Sequence, residues 1–321
     1  MPERLRVVVV GATGYTGAET LRWCLQHPFL DIVGATSRQA AGRPIGDVWP
    51  TLHGADLTIT ATIPEADVLF LCLPHGEAAK LAPTLTNRLV IDLSGDHRLP
   101  EPAHSRAYGF PRAHDPWTYG LPELGWERLR GQTRIANPGC FATALALALL
   151  PMVGRLAPRV HAVGLTGSTG SGVTPLEGTH HPMRAENLRP YKVLAHQHVP
   201  EVVQAAGGGF ALDFVPISAP VRRGILVTIP LPGATLTGYQ AFYAGNPLVR
   251  VSTRAPELLH VLGTARADLS VVVAPDDPDR AVVFCAIDNL GRGAGSQAVA
   301  NLNLAMGWPV DTGLRAPGAA V

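Results

Sequence analysis

Cysteine is scarce: four in 321 residues, Cys24, Cys72, Cys140 and Cys285. None is spaced as CxxC, and four scattered thiols do not make a disulfide framework, so zinc ribbons and disulfide scaffolds are excluded. The pattern fits a reducing cytosol. Charge is also sparse and balanced, with 26 Lys+Arg against 25 Asp+Glu. A nucleic-acid footprint or a polybasic membrane patch needs a basic excess that this chain lacks. Long apolar runs are missing as well. The longest, residues 141–153, is too short to span a bilayer and contains Pro151. There is no leader-peptide pattern at the N-terminus. A cytoplasmic protein that binds neither membrane nor nucleic acid is expected. No internal repeat and no low-complexity linker is found. Glycine and proline are plentiful, 34 and 29, and scattered as turn punctuation between many short elements. The length gives room for two ordinary domains.

Residues 5–10 form a β-branched run, as in a strand buried on both faces of a parallel sheet. A glycine-rich turn follows, then a helix over 18–26 that stops near Pro28. Strands are predicted at 31–36, 67–73 and 89–92, with a helix at 77–85. Strands alternating with helices mean a doubly wound α/β sheet. The pattern changes after Leu150. Residues 160–166, 212–217, 224–231, 248–252, 270–273 and 281–287 read as strands, and one helix, at 236–243, interrupts them. The fold class expected is therefore an α/β Rossmann-like nucleotide domain plus an α+β domain with a largely antiparallel sheet. The first is expected over 1–139, with the segment 290–321 and its helix at 296–306 returning to it. The second is expected over 140–289.

Gly11-Ala12-Thr13-Gly14-Tyr15-Thr16-Gly17 is G-x-x-G-x-x-G between the first strand and the first helix. Glycines there permit tight turning and close approach of backbone to a pyrophosphate, and the helix start faces the phosphates. The alternative is a tight turn with no ligand. An NAD site would place Asp or Glu at the end of the second strand, on the ribose 2′-hydroxyl. This chain has Thr36-Ser37-Arg38, which suits a 2′-phosphate and favours NADP; a solvated Arg38 is the bland reading. Leu73-Pro74-His75-Gly76 follows a sheet strand and is placed over the nicotinamide crevice, with His75 a spacer or backbone-positioning residue.

Asn137-Pro138-Gly139-Cys140 puts a thiol at the start of an apolar helix. Unsatisfied N–H groups there favour the thiolate and can hold an oxyanion. A structural cysteine capping a core helix is the competing reading. A thiol and a nicotinamide cooperate by hydride transfer to or from a thioester, and this needs an acid/base of near-neutral pKa, most simply histidine. His196-Gln197-His198 supplies two imidazoles, which share one face if the segment is extended. His-x-His also occurs in metal sites, but no third ligand is evident, so no metal is assigned. Arg222-Arg223 is either a bidentate anion fork or a solvated strand end. Arg184 and Arg189 are further anion-binding candidates.

Seven motifs occur in order: Gly11-x-x-Gly14-x-x-Gly17, Leu73-Pro74-His75-Gly76, Asp92-Leu93-Ser94-Gly95-Asp96-His97-Arg98-Leu99, Tyr119-Gly120-Leu121-Pro122-Glu123, Asn137-Pro138-Gly139-Cys140, His196-Gln197-His198-x-Pro200-Glu201 and Arg223-Gly224-Ile225-Leu226. Together they closely resemble the N-acetyl-γ-glutamyl-phosphate reductase family, over nearly the whole chain. Aspartyl-phosphate semialdehyde dehydrogenases are more distant relatives. The resemblance implies NADPH-dependent reduction of an acyl phosphate to an aldehyde. It implies Cys140 as nucleophile and His198 as acid/base, with His196 its neighbour. It implies cofactor contacts from Gly11, Thr13, Gly14, Tyr15, Thr16, Gly17, Ser37, Arg38, Gln39, Pro74 and Asn289, and substrate contacts from Arg98, His196, Glu201 and Arg223.

The stretch from His180 to Lys192 and the tail from Met306 to Gly318 resemble the lysine-pathway branch of that family. That branch reduces α-aminoadipyl phosphate carried on a small acidic carrier protein. Asn137-Pro138-Gly139-Cys140 is closer to the arginine-pathway form, which leaves either or both substrates open. A homo-oligomer, dimer or tetramer, is expected. A non-catalytic NADP-binding regulator is the rival of another class; it would need neither Cys140 nor His198.

Overall fold

The computed structural model describes residues 4–318; residues 1–3 and 319–321, the ends of the two segments expected in the nucleotide domain, lie outside the described residues. The chain divides into two compact units. Among the described residues, one comprises 4–139 with Ala294–Arg315; the other comprises Cys140–Gly293 with 316–318.

The first unit is built on strands β1 (Leu5–Val10), β2 (Leu30–Thr36), β3 (Ile59–Thr60), β4 (Val68–Leu71), β5 (Leu89–Asp92), β6 (Thr118–Tyr119) and β7 (Arg134–Ala136). Their order is β3-β2-β1-β4-β5-β7-β6, and every pairing is parallel. Val7 to Val9, Val68 to Leu71 and Leu89 to Ile91 are fully buried. That explains why these strands are uninterrupted apolar runs: helices cover both faces. The Tyr15–Leu25 helix buries Leu21 and Trp23. The Ser296–Ala305 helix belongs to this unit and is buried on every side. A helix so placed must pair its polar groups. Asn301 donates to Asn137 Oδ1 at 2.9 Å, and Gln297 donates to the Gly120 carbonyl at 2.8 Å.

The second unit carries β8 (Arg159–Thr166), β9 (Arg189–Pro190), β10 (Ala211–Ser218), β11 (Ile225–Pro230), β12 (Val249–Val251), β13 (Ala267–Ala274) and β14 (Asp277–Ile287), in the order β12-β13-β14-β11-β8-β10-β9. Four of the six pairings are antiparallel; β8–β10 and β12–β13 are parallel. Exposure alternates along β8 and β10, so one face of this sheet is packed. The Cys140–Leu149 helix lies against β11 and β14, with every residue after Cys140 buried. Its last carbonyls, left over by the helical pattern, need donors. Tyr239 and Tyr243 supply them, donating to the Ala148 and Leu147 carbonyls.

Two readings need correction, one in each unit. Residues 199–205 form a further helix, Val199–Ala205, with Pro in its first turn followed by Glu201. Proline at a helix start and an acid in the first turn are helix-start signals. The predicted helix at 77–85 is Glu77–Leu81 and then a tighter turn, Ala82–Thr84, because Pro83 cannot continue the α-helical ladder.

Candidate active site

The nucleotide loop is built at the end of β1. Gly11 sits at φ +87°, where a side chain would run into the Cys72 carbonyl. The Gly11 and Ala12 amides both donate to the Thr36 carbonyl at 3.0 Å, tying the loop to the end of β2. Thr13 donates to Ser37 Oγ at 3.1 Å, a second tie between the same two strand ends. Gly14 caps the helix that begins at Tyr15, and Gly17 packs on the Gly11 carbonyl with no room for a Cβ. Thr16 accepts from Thr20 Oγ1 through its carbonyl. Beyond β2, Arg38 and Gln39 are exposed, and residues 36–39 at that strand end include no acid. Trp49 was not foreseen: its indole donates to the Ala12 carbonyl at 3.1 Å and its ring meets Tyr15.

Pro74, His75 and Gly76 are locked onto the segment after β5. Asp96 accepts from the Gly76 and Ala79 amides at 2.7 and 2.9 Å, and His75 Nδ1 accepts from the Gly95 amide at 2.8 Å. Arg98 is buried and donates to the Leu93 carbonyl at 2.8 Å, so it braces its own loop. His97, on a fully buried Asp92 at 2.7 Å, stacks on Trp117.

In the second unit, Cys140 is the first residue of its helix and is half-buried. Phe141, next in the chain, meets the rings of Phe214 at 4.9 Å and His196 at 5.5 Å. His196 in turn meets Tyr191 at 5.8 Å and His198 at 4.7 Å. The His196–His198 segment is not extended. It is a turn that ends at His198, which caps the Val199–Ala205 helix with αR backbone angles. The two imidazoles nevertheless come together, edge to face, because the turn folds one ring onto the other. His196 Nδ1 accepts from the His198 amide at 3.2 Å. Burial, and secondarily the Lys192 ammonium, push the His196 pKa down to about 4. His196 is thus a neutral imidazole at pH 7 with Nδ1 already engaged. Burial holds the Tyr191 phenol protonated, well above its usual range, with the nearby Cys140 sulfur acting in the same direction. Glu201 is fully buried in the first turn of its helix.

Arg222 and Arg223 do not act as a pair. Arg222 is exposed, whereas Arg223 Nε donates to the buried Asp288 at 2.6 Å. Asn289 lies in this unit, where its side chain accepts from the Gly224 amide at 2.6 Å and donates to Thr169 at 3.0 Å. Its amide is thereby used on protein groups. Arg184, expected as an anion-binding candidate, is instead buried, and its guanidinium donates to Ser168 Oγ and the Ala219 carbonyl. Arg189 is exposed. Among the described residues no group of three or more His, Cys, Asp or Glu is placed to hold a metal ion. No helix among them is long and apolar enough to cross a membrane.

A parallel nucleotide-type sheet in one unit, and in the other a thiol at a helix start whose neighbour Phe141 meets one ring of a histidine pair, are the features of a dehydrogenase class. Comparison with known proteins narrows the class. Residues 6–132 match the model of the semialdehyde dehydrogenase NAD-binding domain, and residues 140–289 match that of the semialdehyde dehydrogenase dimerisation domain. The N-acetyl-gamma-glutamyl-phosphate reductase of Salinispora tropica is 42% identical, covering 97% of each chain. The LysW-L-2-aminoadipate 6-phosphate reductase of Deinococcus radiodurans is 39% identical, again covering 97% of each chain. Aspartate semialdehyde dehydrogenase II of Vibrio cholerae, at 15% identity, shares the fold with a TM-score of 0.72, over 94% of this chain and 98% of that one. The chain belongs to the semialdehyde dehydrogenase family, among its N-acetyl-γ-glutamyl-phosphate reductase-like members.

Proposed function

We propose that this protein reduces an acyl phosphate to a semialdehyde with NADPH through a thioester on Cys140. The observation that carries this reading is the thiol at the start of the Cys140–Leu149 helix, in the same unit as an imidazole pair in which one member is held neutral. The Cys140 thiolate attacks the acyl carbon and displaces phosphate, with the helix-start amides holding the oxyanion. When bound, NADPH supplies the hydride that reduces the thioester. Collapse of the resulting hemithioacetal gives the aldehyde and returns the sulfur, to which His198 delivers a proton. His198 rather than His196 is assigned the acid/base role. His196 accepts a hydrogen bond at Nδ1 and takes up a proton only near pH 4, so it orients its neighbour. On the cofactor side, Ser37 and Arg38 at the end of β2 support a 2′-phosphate, with Thr13 holding Ser37 in place.

The finer reading is the carrier-bound α-aminoadipyl 6-phosphate of lysine biosynthesis, supported by the motifs from His180 to Lys192 and by the Deinococcus relative. With Arg184 buried, the exposed Arg189 and Lys192 are the cations left in that segment for an acidic carrier. N-acetylglutamyl phosphate of arginine biosynthesis is the second reading, favoured by Asn137-Pro138-Gly139-Cys140 and the Salinispora relative. A homo-oligomer through the second unit fits the dimerisation-domain match.

Two experiments test these assignments. Cys140→Ser should abolish phosphate-dependent reduction and leave NADPH binding intact; a fully active variant would sink the covalent mechanism. The reverse reaction, with NADP and phosphate, should be run on both aldehydes. A tenfold preference, about 1.4 kcal/mol in transition-state binding, assigns the pathway.

A further inference from the structure

We propose that Asp288 is a positioning residue for the thiol site. Its carboxylate fixes the Arg223 guanidinium as an anion receptor, and it shapes the turn that sets the Gly293 backbone against Cys140. What the receptor holds during turnover, the anionic end of an acyl phosphate, rests on the function proposed above.

Asp288 is fully buried at the end of β14. A carboxylate buried there needs hydrogen-bond donors for its lone pairs. They are used at every side. Oδ1 accepts from Arg223 Nε at 2.6 Å and from the Leu290 and Gly291 amides at 2.9 and 3.0 Å. Oδ2 accepts from the Gly263 amide at 2.6 Å. The Asp288 carbonyl accepts from the Gly293 amide at 2.9 Å, closing the turn. The far end of that turn touches the nucleophile: a Cβ on Gly293 would lie 2.7 Å from Cys140 Cβ and 3.2 Å from its Cα. No side chain fits there, so the backbone itself walls the thiol. Asn289 holds the residue after Arg223 through the Gly224 amide. Two consecutive side chains therefore fix both Arg223 and Gly224 relative to the turn that walls Cys140.

The chemistry of the two kinds of contact differs. Backbone amides need only an acceptor: an asparagine oxygen in the Oδ1 place would keep the Leu290 and Gly291 amides, and only the Gly263 amide would lose its partner. The guanidinium needs the charge. Using Nε on Asp288 sets the plane of the fork and so the direction of its other nitrogens, the geometry suited to a carboxylate or phosphate. Asp288 thus acts through Arg223 and does not itself meet substrate.

The test uses the full chain and needs no knowledge of the substrate. Cys140 is alkylated with iodoacetate and with iodoacetamide, and the site is read by peptide mass spectrometry. Wild type should favour the anionic reagent several-fold over the ratio shown by a small free thiol. Asp288→Asn should lose most of that preference while reacting normally with iodoacetamide. Arg223→Gln should do the same, and the double variant should lose no more than either alone. A retained preference in Asp288→Asn, or additive losses in the double variant, would overturn the proposal. If Asp288→Asn does not fold, Arg223→Lys decides: it keeps the charge without the planar fork, and undiminished preference would count against a fixed receptor. In turnover, Asp288→Asn should raise KM for the acyl phosphate about tenfold and leave KM for NADPH unchanged. Should no acyl phosphate be reduced while the alkylation pattern holds, the reaction assignment fails and the positioning role stands.

Discussion

Gly164→Ala sets two effects of opposite sign against each other. Gly164 is a buried residue of β8, paired with Pro216 and Val227, and its backbone is not in the left-handed region. At such a position alanine restricts the unfolded chain and ordinarily stabilises by about 0.4–1 kcal/mol. Here the added carbon would lie 2.5 Å from Phe141 and 2.9–3.0 Å from Phe214. Both rings are almost fully buried and meet each other and His196, so neither can swing aside freely. Overpacking of this kind costs about 1–3 kcal/mol. The clash therefore wins, with a net loss on the order of 1–2 kcal/mol. That corresponds to roughly 3–6 °C in Tm for a unit of this size. The choice of probe matters. All five tryptophans, Trp23, Trp49, Trp117, Trp126 and Trp308, lie in the first unit. Heat unfolding should be followed by circular dichroism, with Cys140 alkylation run alongside. Phe141 adjoins Cys140, so the alkylation rate should fall too. An alanine variant as stable as wild type, or more so, would refute the packing argument.

Tyr239→Phe and Tyr243→Phe each remove a donor from a carbonyl in the last turn of the nucleophile's helix. Each should cost about 1–3 kcal/mol, read as a lower urea midpoint. The depressed pKa of His196 makes stability depend on pH. The unfolded chain takes up a proton near pH 6.5 and the folded one only near 4, so stability is lost as pH falls between those values. The loss from this residue totals about 3 kcal/mol, and His196→Asn should flatten that limb of the stability profile. A variant with an unchanged limb would show that His196 is not its source. Arg38→Glu should reverse the preference between NADPH and NADH by more than tenfold in kcat/KM. Arg184→Leu should lower Tm without changing the salt dependence of carrier binding, whereas Arg189→Glu should weaken carrier binding with little loss of stability.

Local features were legible in the sequence. Four of the parallel strands, β1, β2, β4 and β5, were visible because each is a short apolar run between turn residues; β3, β6 and β7, two or three residues long, carry no such run. The nucleotide loop was visible because its glycines and the Thr36-Ser37-Arg38 end are contiguous. Cys140 and the His196–His198 segment could be named for the same reason. What stayed hidden depends on pairs distant in the chain. Trp49 closes on a loop 37 residues earlier. Tyr239 and Tyr243 reach carbonyls 91 and 96 residues earlier. Asp288 has no local signal of its role, because Arg223, brought beside it by β11 and β14, is 65 residues away in the chain. Arg184 resembled a surface cation because composition carries no record of burial.

The path of the chain between the two units has a consequence for synthesis. The Ser296–Ala305 helix belongs to the first unit, yet it emerges from the ribosome after nearly all of the second. Until it does, Asn137 lacks its Asn301 partner and the Gly120 carbonyl lacks Gln297. The unit begun first therefore waits until nearly all of the second has been made, and a nascent chain halted before residue 296 would carry an unsealed nucleotide sheet and a nearly finished thiol unit. Chaperone capture of such stalled chains should centre on the earlier residues, and release should coincide with emergence of that helix.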